Sequence, residues 1–455
     1  MYIKNQKFLI LGVSKSGFSA AGYILKNGGK CYFYEELESD RIQKAENELI
    51  SRGAIKVSAD GIDEAIKESD ALVISPGVPI NHEVAVKAKT MGKRITGELE
   101  FAFETISPVI IGVTGTNGKT TTVSLIDAVL EEAGIKRELA GNVGIPVSSV
   151  TEKTDRDTIF VTEVSSFQLE SVSDFKPHVS CILNISPDHL ERHYSMENYI
   201  FLKKRIFRNQ RESEYCVLNY DDETVRSFYP EIKAAVVWVS VNERVDGAYA
   251  EGDVLYYKGE PVATTSDIPL SGKHNVYNAL FAIAVAKLFG VKNEAIVSAL
   301  KNFKGVPHRN QMIGEMNGVK FYDDSKATNT ASAITAISDL SLPAVLILGG
   351  SEKGEKYDRL FAAINDSKVI HTVITGAARE SMLQAAARAG NFAFTVTDKF
   401  EKAVEIAKSV AKSGQCVLLS PACASFDEFR CCEERGDVFK KLVFGGEKSE
   451  FRDNA

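Results

Sequence analysis

The sequence predicts an α/β protein of about three domains, each built on a largely parallel sheet. Three observations carry this. Short apolar, β-branched runs alternate with helical patterns from one end of the chain to the other. A length of 455 residues leaves roughly 150 residues per domain, enough for each to bury its own core. Two glycine-rich turns, GVSKSG (12–17) and GTNGKT (115–120), each join a strand-like run to a helical one, which is how α/β layers make phosphate cradles.

The first block, 1–97, opens with a strand at Phe8–Leu11, the GVSKSG turn, a helix to about Asn27 and a strand at Cys31–Tyr34. A further strand, Ala71–Ile74, runs into Ser75-Pro76-Gly77. This is a Rossmann-like half, but its glycines fall only at 12 and 17, so the dinucleotide fingerprint is incomplete. A nucleotide-diphosphate site with Glu35 as a partner is one reading, and a plain packing turn is the other.

The second block, 98–305, holds the sharper motif. The run Pro108–Ile111 reads as a buried strand, and Val123, Ile126, Leu130 and Ala133 repeat at helical spacing before Gly134. Between them, glycines let backbone N–H groups approach phosphate oxygens, and the helix N-terminus adds partial positive charge. Lys119 is placed to reach the β- and γ-phosphates of ATP, and the Thr120 hydroxyl to hold Mg2+. The spacing departs from the common loop, since Val113 stands at the usual first glycine. Strands follow at 158–164, 179–185 and 215–220, the short pieces in 235–270 suggest a small added β-sheet, and an amphipathic helix follows LSGKHNVYNA (270–279). The third block, 306–455, contains strands at Val319–Asp323, Ala344–Leu348, Thr372–Ile374 and Cys416–Leu419, and ends in a polar tail.

Bulk properties exclude some partners. A net charge of −7 with 25% charged residues argues against a broad nucleic-acid or membrane-surface footprint, so anions must be bound by local cations and helix ends. Seven scattered cysteines suit buried thiols in a reducing cytoplasm. No apolar run approaches the ~18 residues of a membrane span, and the N-terminus lacks a signal-peptide pattern. The expectation is a cytoplasmic protein.

A nucleotide loop needs an acid at a neighbouring strand end to hold the metal. Glu163 closes TIFVTEV and meets that need; SSFQLE (165–170) follows with small hydroxyls. His189, in NISPDHLERH (184–193), lies beyond the next strand and is a second metal candidate. No guanine-reading NKxD string occurs. Two polar clusters, DDSKATN (323–329) and LLSPACASFDEF (418–429), begin at strand ends of the third block, where open α/β sheets place ligands. Sites divided among domains suit a ligase that closes over two substrates.

Taken in order, GTNGKTT, EVSSFQLE, ILNISPDHLERH, SGKHNVYNALFA, GVPHRNQ, DDSKATN and SPACASFDEF resemble the Mur ligases of peptidoglycan synthesis along the whole chain. DSKATN and SPACASFDEFxxxxxRG resemble the branch that adds D-glutamate to UDP-N-acetylmuramoyl-L-alanine. The resemblance implies a Rossmann-like UDP-sugar domain (1–97), a central P-loop-type ATPase (98–305) and a Rossmann-like amino-acid domain (306–455), acting as a monomer on small molecules. It implies ATP-driven amide formation through an acyl phosphate. Gly115, Thr116, Asn117, Gly118, Lys119, Thr120 and Thr121 would cradle the phosphates, and Thr120, Glu163, His189 and a carbamylated Lys203 would hold Mg2+. Lys203 has Lys204 beside it, so the modification has two adjacent candidates. Asn275, Asn278, Arg309, Asp324 and Lys326 are implied at the nucleotide, with Lys119, His189, Lys203 and Lys326 catalytic. Lys15, Ser16, Glu35, Ser75, Gly77, Asn142 and Ser165 are implied at the UDP-sugar, and Thr328, Lys353 and Ser425 at D-glutamate. Two departures touch the pockets: Cys432 stands where the family often has an aromatic ring, and Lys15 and Glu35-Glu36 depart from its uracil-side pattern. Other ligases of the superfamily, such as folylpolyglutamate synthase or a ligase adding L-lysine or diaminopimelate, are the nearest rivals, and a nucleotide-switched binding protein is the rival from another class.

Overall fold

The computed structural model of the chain describes residues 2–106, 108–142, 144–150, 157–270, 272–352, 356–390 and 393–445. One compact unit spans Met1–Phe303 and another Lys304–Ala455. Among the described residues they contain three sheets, two in the first unit and one in the second.

The first sheet comprises β1 (Lys7–Leu11), β2 (Lys30–Tyr34), β3 (Ile55–Lys56), β4 (Ala71–Ile74) and β5 (Arg94–Gly97). They run parallel in the order β3-β2-β1-β4-β5. Successive residues of a strand face opposite sides, and here both sides are covered. Phe8, Ile10 and Val73 pack in one core, Leu9, Leu11 and Leu72 in the other. The strand order reverses between β1 and β4, so a crevice opens beyond their C-terminal ends, at turn 12–17 and loop 75–78.

The second sheet comprises β6 (Val109–Thr114), β7 (Arg137–Gly141), β8 (Ile159–Glu163), β9 (Val179–Ile182), β10 (Tyr215–Asn219), β11 (Ala235–Ser240), β12 (Gly247–Glu251), β13 (Val254–Tyr257) and β14 (Glu260–Thr264). Its order is β14-β13-β12-β11-β10-β9-β6-β8-β7. The added strands anticipated in 235–270 are present, and they continue this sheet: β11 and β12 pair parallel, then β12, β13 and β14 antiparallel. The helix Lys273–Leu288 corrects the amphipathic expectation. Every residue of 278–286 is buried, because the helix packs on β11 and β12 and against the helix Lys119–Glu132; an all-apolar helix is a buried one.

The third sheet, in the second unit, comprises β15 (Gln311–Met316), β16 (Val319–Asp323), β17 (Ala344–Gly349), β18 (Val369–Thr375), β19 (Phe394–Val396) and β20 (Cys416–Leu419), ordered β15-β16-β20-β17-β18-β19. Asp323 and Ile347 both pair with Leu419, so the strand ends leading to DDSKATN and SPACAS lie side by side.

Five cysteines are buried: Cys31 in the first sheet, Cys181 and Cys216 in the second, Cys416 in the third, and Cys423 in the loop after β20. No helix among the described residues is long and apolar enough to cross a membrane.

Candidate active site

The loop after β6 is fixed by its neighbours. Gly118 caps the helix Lys119–Glu132 at φ 84°, a conformation side chains disfavour, and a Cβ there would meet Asn278 Oδ1 at 2.7 Å. Thr116 N–H donates to Asn184 O (3.0 Å), and Asn117 N–H to Asn184 Oδ1 (2.9 Å). The Thr116 hydroxyl donates to Ser186 O (3.1 Å) and accepts from Ser186 N–H (2.9 Å). Asn184 and Ser186, which sequence reasoning did not single out, thus fix the cradle. Thr121 is buried in the first turn of the helix. Asn278 lies beneath the cradle, accepting from Thr122 Oγ1 (3.1 Å) and donating to Asn275 Oδ1 (3.2 Å). Both asparagines are buried, which makes them supports of the loop.

Two lysines converge on one carbonyl. Lys119 Nζ donates to Gly115 O (2.9 Å) and Thr116 O (2.7 Å). Lys203 Nζ donates to the same Gly115 O (2.8 Å) and to Thr114 Oγ1 (3.3 Å). Lys203 is 1% exposed, and burial, then the Lys119 charge, holds its pKa well below the ordinary lysine value. Glu163 and Asp188 pull the other way, which places both carboxylates within electrostatic reach. Asp188 was not singled out in the sequence. Lys204, the alternative, pairs with Glu231 at the surface, so the structure separates the two.

Glu163 ends β8 and is buried. It accepts from Thr120 Oγ1 (2.8 Å) and Asn142 Nδ2 (2.9 Å). Asn142, expected at the UDP-sugar, is therefore placed on the proposed metal acid. A carboxylate and a hydroxyl at the mouth of the cradle are oxygen donors that suit a hard cation such as Mg2+. His189 adopts φ 53°; its Nε2 is 3.7 Å from Asp188 Oδ2 and its ring 4.9 Å from that of Phe167. The buried His193 meets Ser166 Oγ at 2.9 Å, and burial lowers its pKa. Among the described residues, the one group of His, Cys, Asp or Glu with ligand atoms in mutual reach is Glu100, Glu104 and Asp174. Glu100 already accepts from the backbone N–H of Ser173, Asp174 and Phe175 (2.8–2.9 Å), and Glu104 pairs with Arg94, so that group is structural.

The crevice of the first sheet is organised differently. Glu35 accepts from Val13 N–H (2.7 Å), Glu36 N–H (3.0 Å) and Leu37 N–H (2.9 Å). Its carboxylate thus clamps two loops. Ser75, buried, donates to Gly12 O (2.7 Å). Gly17 is needed because a Cβ there would meet Gly12 O at 1.9 Å; the packing-turn reading of GVSKSG describes this lock. Lys15 and Gly77 are exposed and Ser16 half-buried. Ser165 caps the short helix Ser166–Leu169 in a capping box with Gln168. Arg192, another residue missed, donates to Pro76, Gly77 and Val78 carbonyls.

In the second unit, Asp324 is buried, accepting from Ser420 Oγ (2.7 Å) and Asn310 N–H (3.0 Å). Burial pushes its pKa up to about 6. Arg309 Nε is buried without a hydrogen-bond partner among the described residues, an orphaned donor that fits an anionic ligand. His308 Nδ1 meets Asp323 Oδ2 at 2.7 Å, and that bond raises its pKa. Lys326 Nζ lies 3.6 Å from Glu433 Oε1. Thr328 is half-buried and Ser425 buried; Lys353 lies outside the described residues. Arg435, 1% exposed, knits these loops together through Ser325 Oγ (2.9 Å), Ser325 O (2.8 Å) and Cys423 O (3.0 Å).

Comparison with known proteins agrees with this geometry. The sequence model of the Mur ligase middle domain matches residues 113–286, and that of the Mur ligase glutamate ligase domain residues 308–423. The chain is 40% identical over 446 residues to the UDP-N-acetylmuramoylalanine–D-glutamate ligase of Caldanaerobacter subterraneus, covering 97% of this chain and 99% of that protein. It is 38% identical to the ligase of the same name from Clostridioides difficile, again over 97% and 99%. Among solved structures, UDP-N-acetylmuramate–alanine ligase MurC of Thermotoga maritima superposes with a TM-score of 0.64 at 17% identity, covering 97% of this chain and all of that one. MurF of Acinetobacter baumannii gives 0.62 at 17%, covering 95% and 93%. With both domains matched and full-length relatives at 38–40% identity, the chain belongs to the Mur ligase family.

Proposed function

We propose that this chain is an ATP-driven amide ligase joining D-glutamate to UDP-N-acetylmuramoyl-L-alanine in the cytoplasm. The observation that carries it is the pair of lysines on Gly115 O. Two amines on one carbonyl, one of them buried, make a site that gains from an incoming anion. In this reading residues 1–97 hold the sugar nucleotide, 98–305 the ATP and 306–455 the amino acid.

A carboxylate is a poor acylating agent, and transfer of the γ-phosphoryl group to its oxygen gives it a good leaving group. The amine of D-glutamate then attacks the carbonyl carbon and phosphate departs. The chain's part is positioning and charge neutralisation. Lys119 exchanges its bonds to Gly115 and Thr116 carbonyls for phosphate oxygens. Thr120, Glu163 and His189 would hold Mg2+, which when bound neutralises phosphate charge. Burial and the neighbouring Lys119 charge disfavour the ammonium form of Lys203; addition of its amine to CO2 with loss of a proton would give a carbamate, whose anionic oxygens suit the cation. Thr328, Lys353 and Ser425 hold the carboxylates of D-glutamate, whose recognition needs a cation and hydrogen-bond donors, and Lys326 lies near the phosphate.

The test is phosphate release by the purified protein with ATP and Mg2+. Release should require both UDP-N-acetylmuramoyl-L-alanine and D-glutamate, with mass spectrometry showing the amide. Release with ATP alone, or equal product from L-glutamate or L-lysine, would overturn the assignment.

A further inference from the structure

We propose that Arg192 is a positioning residue that ties the sugar-nucleotide loop to the His189 turn, so that the sugar nucleotide and ATP favour each other's binding; this rests on the ligase reading above. The guanidinium faces loop 76–78 on one side and the central sheet's loops on the other. Its Nε and Nη2 donate to the two oxygens of Glu170 (3.0 and 2.6 Å), and it stacks 4.7 Å over Phe167. Outward, Nη2 reaches Pro76 O (3.3 Å) and Val78 O (3.1 Å), and Nη1 reaches Gly77 O (3.2 Å). Three successive carbonyls curl round one fork of donors, an arrangement the planar guanidinium provides and an ammonium does not. The side chain is only 14% exposed.

The turn that carries Arg192 is under strain. His189 (φ 53°) and Tyr194 (φ 65°) flank the short helix Leu190–His193, both left-handed and neither glycine. Such residues persist only where their surroundings over-determine them. Here Arg192 supplies the grip, with His193 on Ser166 and Asn81 Nδ2 donating to the Tyr194 hydroxyl (3.3 Å). Phe167 lies under the Arg192 guanidinium and packs, tilted, against the His189 ring. The loop beyond β4 lies at the crevice where the first sheet reverses order, and His189 lies on the segment whose residues Asn184 and Ser186 fix the phosphate cradle. A ligand that orders loop 76–78 therefore stabilises the arrangement in which His189 stands beside the cradle, and linkage makes the effect mutual.

The experiment measures the dissociation constant of UDP-N-acetylmuramoyl-L-alanine with and without Mg2+ and a non-hydrolysable ATP analogue, for the wild type, Arg192→Gln and Arg192→Lys, alongside steady-state kinetics and thermal melts. In the wild type the analogue should tighten sugar-nucleotide binding by about 5-fold or more. Arg192→Gln should bring that ratio close to one and raise KM for the sugar nucleotide about tenfold, leaving KM for D-glutamate unchanged. Arg192→Lys should fall between, and it carries the test by the same criterion if the glutamine variant does not fold. A wild-type ratio of one, or a variant that melts earlier with ratio and KM values kept, overturns the proposal. A wild type that releases no phosphate with all three substrates overturns the ligase reading instead.

Discussion

The strand–turn–helix unit of β1 and Lys15–Lys26 and that of β6 and Lys119–Glu132 repeat one plan: a buried strand, a glycine-bearing turn, a helix, and an acid at the end of a neighbouring parallel strand. They differ in what that acid holds. Glu35 takes three backbone N–H groups, one from turn 12–17 and two from its own loop. Glu163 takes a hydroxyl and a side-chain amide, both of which can rotate away for a cation. The first turn is also shut by Ser75 on Gly12, whereas the second presents two lysines. An acid bound by backbone is a fastening; an acid bound by mobile side chains is a site.

The hardest break is Lys119→Ala. Loss of one charged donor in a preorganised site typically costs about 10²–10³-fold in rate, so phosphate release should collapse while far-UV circular dichroism stays unchanged. Near-normal release would erase the contrast between the two turns.

Lys203→Ala should lose most activity, and formate or acetate should restore part of it by supplying an anion to the vacated space. Lys204→Ala, at the surface, should stay within about ±0.5 kcal/mol in stability and keep its rate. If Lys204→Ala is the dead variant, the modification belongs one residue on.

A swap sharpens the comparison. Glu35→Gln should lower stability by about 1–3 kcal/mol in urea melts, since charged hydrogen bonds to Val13, Glu36 and Leu37 are weakened. Glu163→Gln should melt near the wild type but lose activity. Equal stability losses in both would mean that the two acids do the same job. Smallest of all, Ser75→Ala should cost about 1 kcal/mol through one lost bond to Gly12 O, read as a shifted urea midpoint.

Much of the fold was legible because buried parallel strands are continuous apolar runs: β1, β4, β6, β17 and β20 are buried along almost their whole length. Strands β5 and β7 were not, being partly exposed and polar (RITG, RELAG), so their pairing comes from the sheet and not from their own pattern. At the site, glycine spacing marked the turn after β6, and the proposed part of Lys203 comes from family resemblance. A local signal for Lys203 existed: Tyr199, Lys203 and Ile206 follow helical spacing on a buried face. The clamp made by Glu35 was not legible because its three donors come from two loops that meet only in the folded sheet. Arg192 was passed over because LERH reads as a solvated string, and nothing local announces that its fork closes on residues more than a hundred positions earlier.

The buried thiols give the molecule its own reporters of opening. Burial pushes the pKa of Cys31 and Cys216 up to about 12 and that of Cys416 to about 11, so at pH 7 only about one in 10⁴–10⁵ of these groups is thiolate. An alkylating reagent therefore waits for the strand to leave its sheet. Because Cys31, Cys216 and Cys416 sit in different sheets, the rates at which they are labelled would time the opening of each sheet separately, with no probe added to the chain.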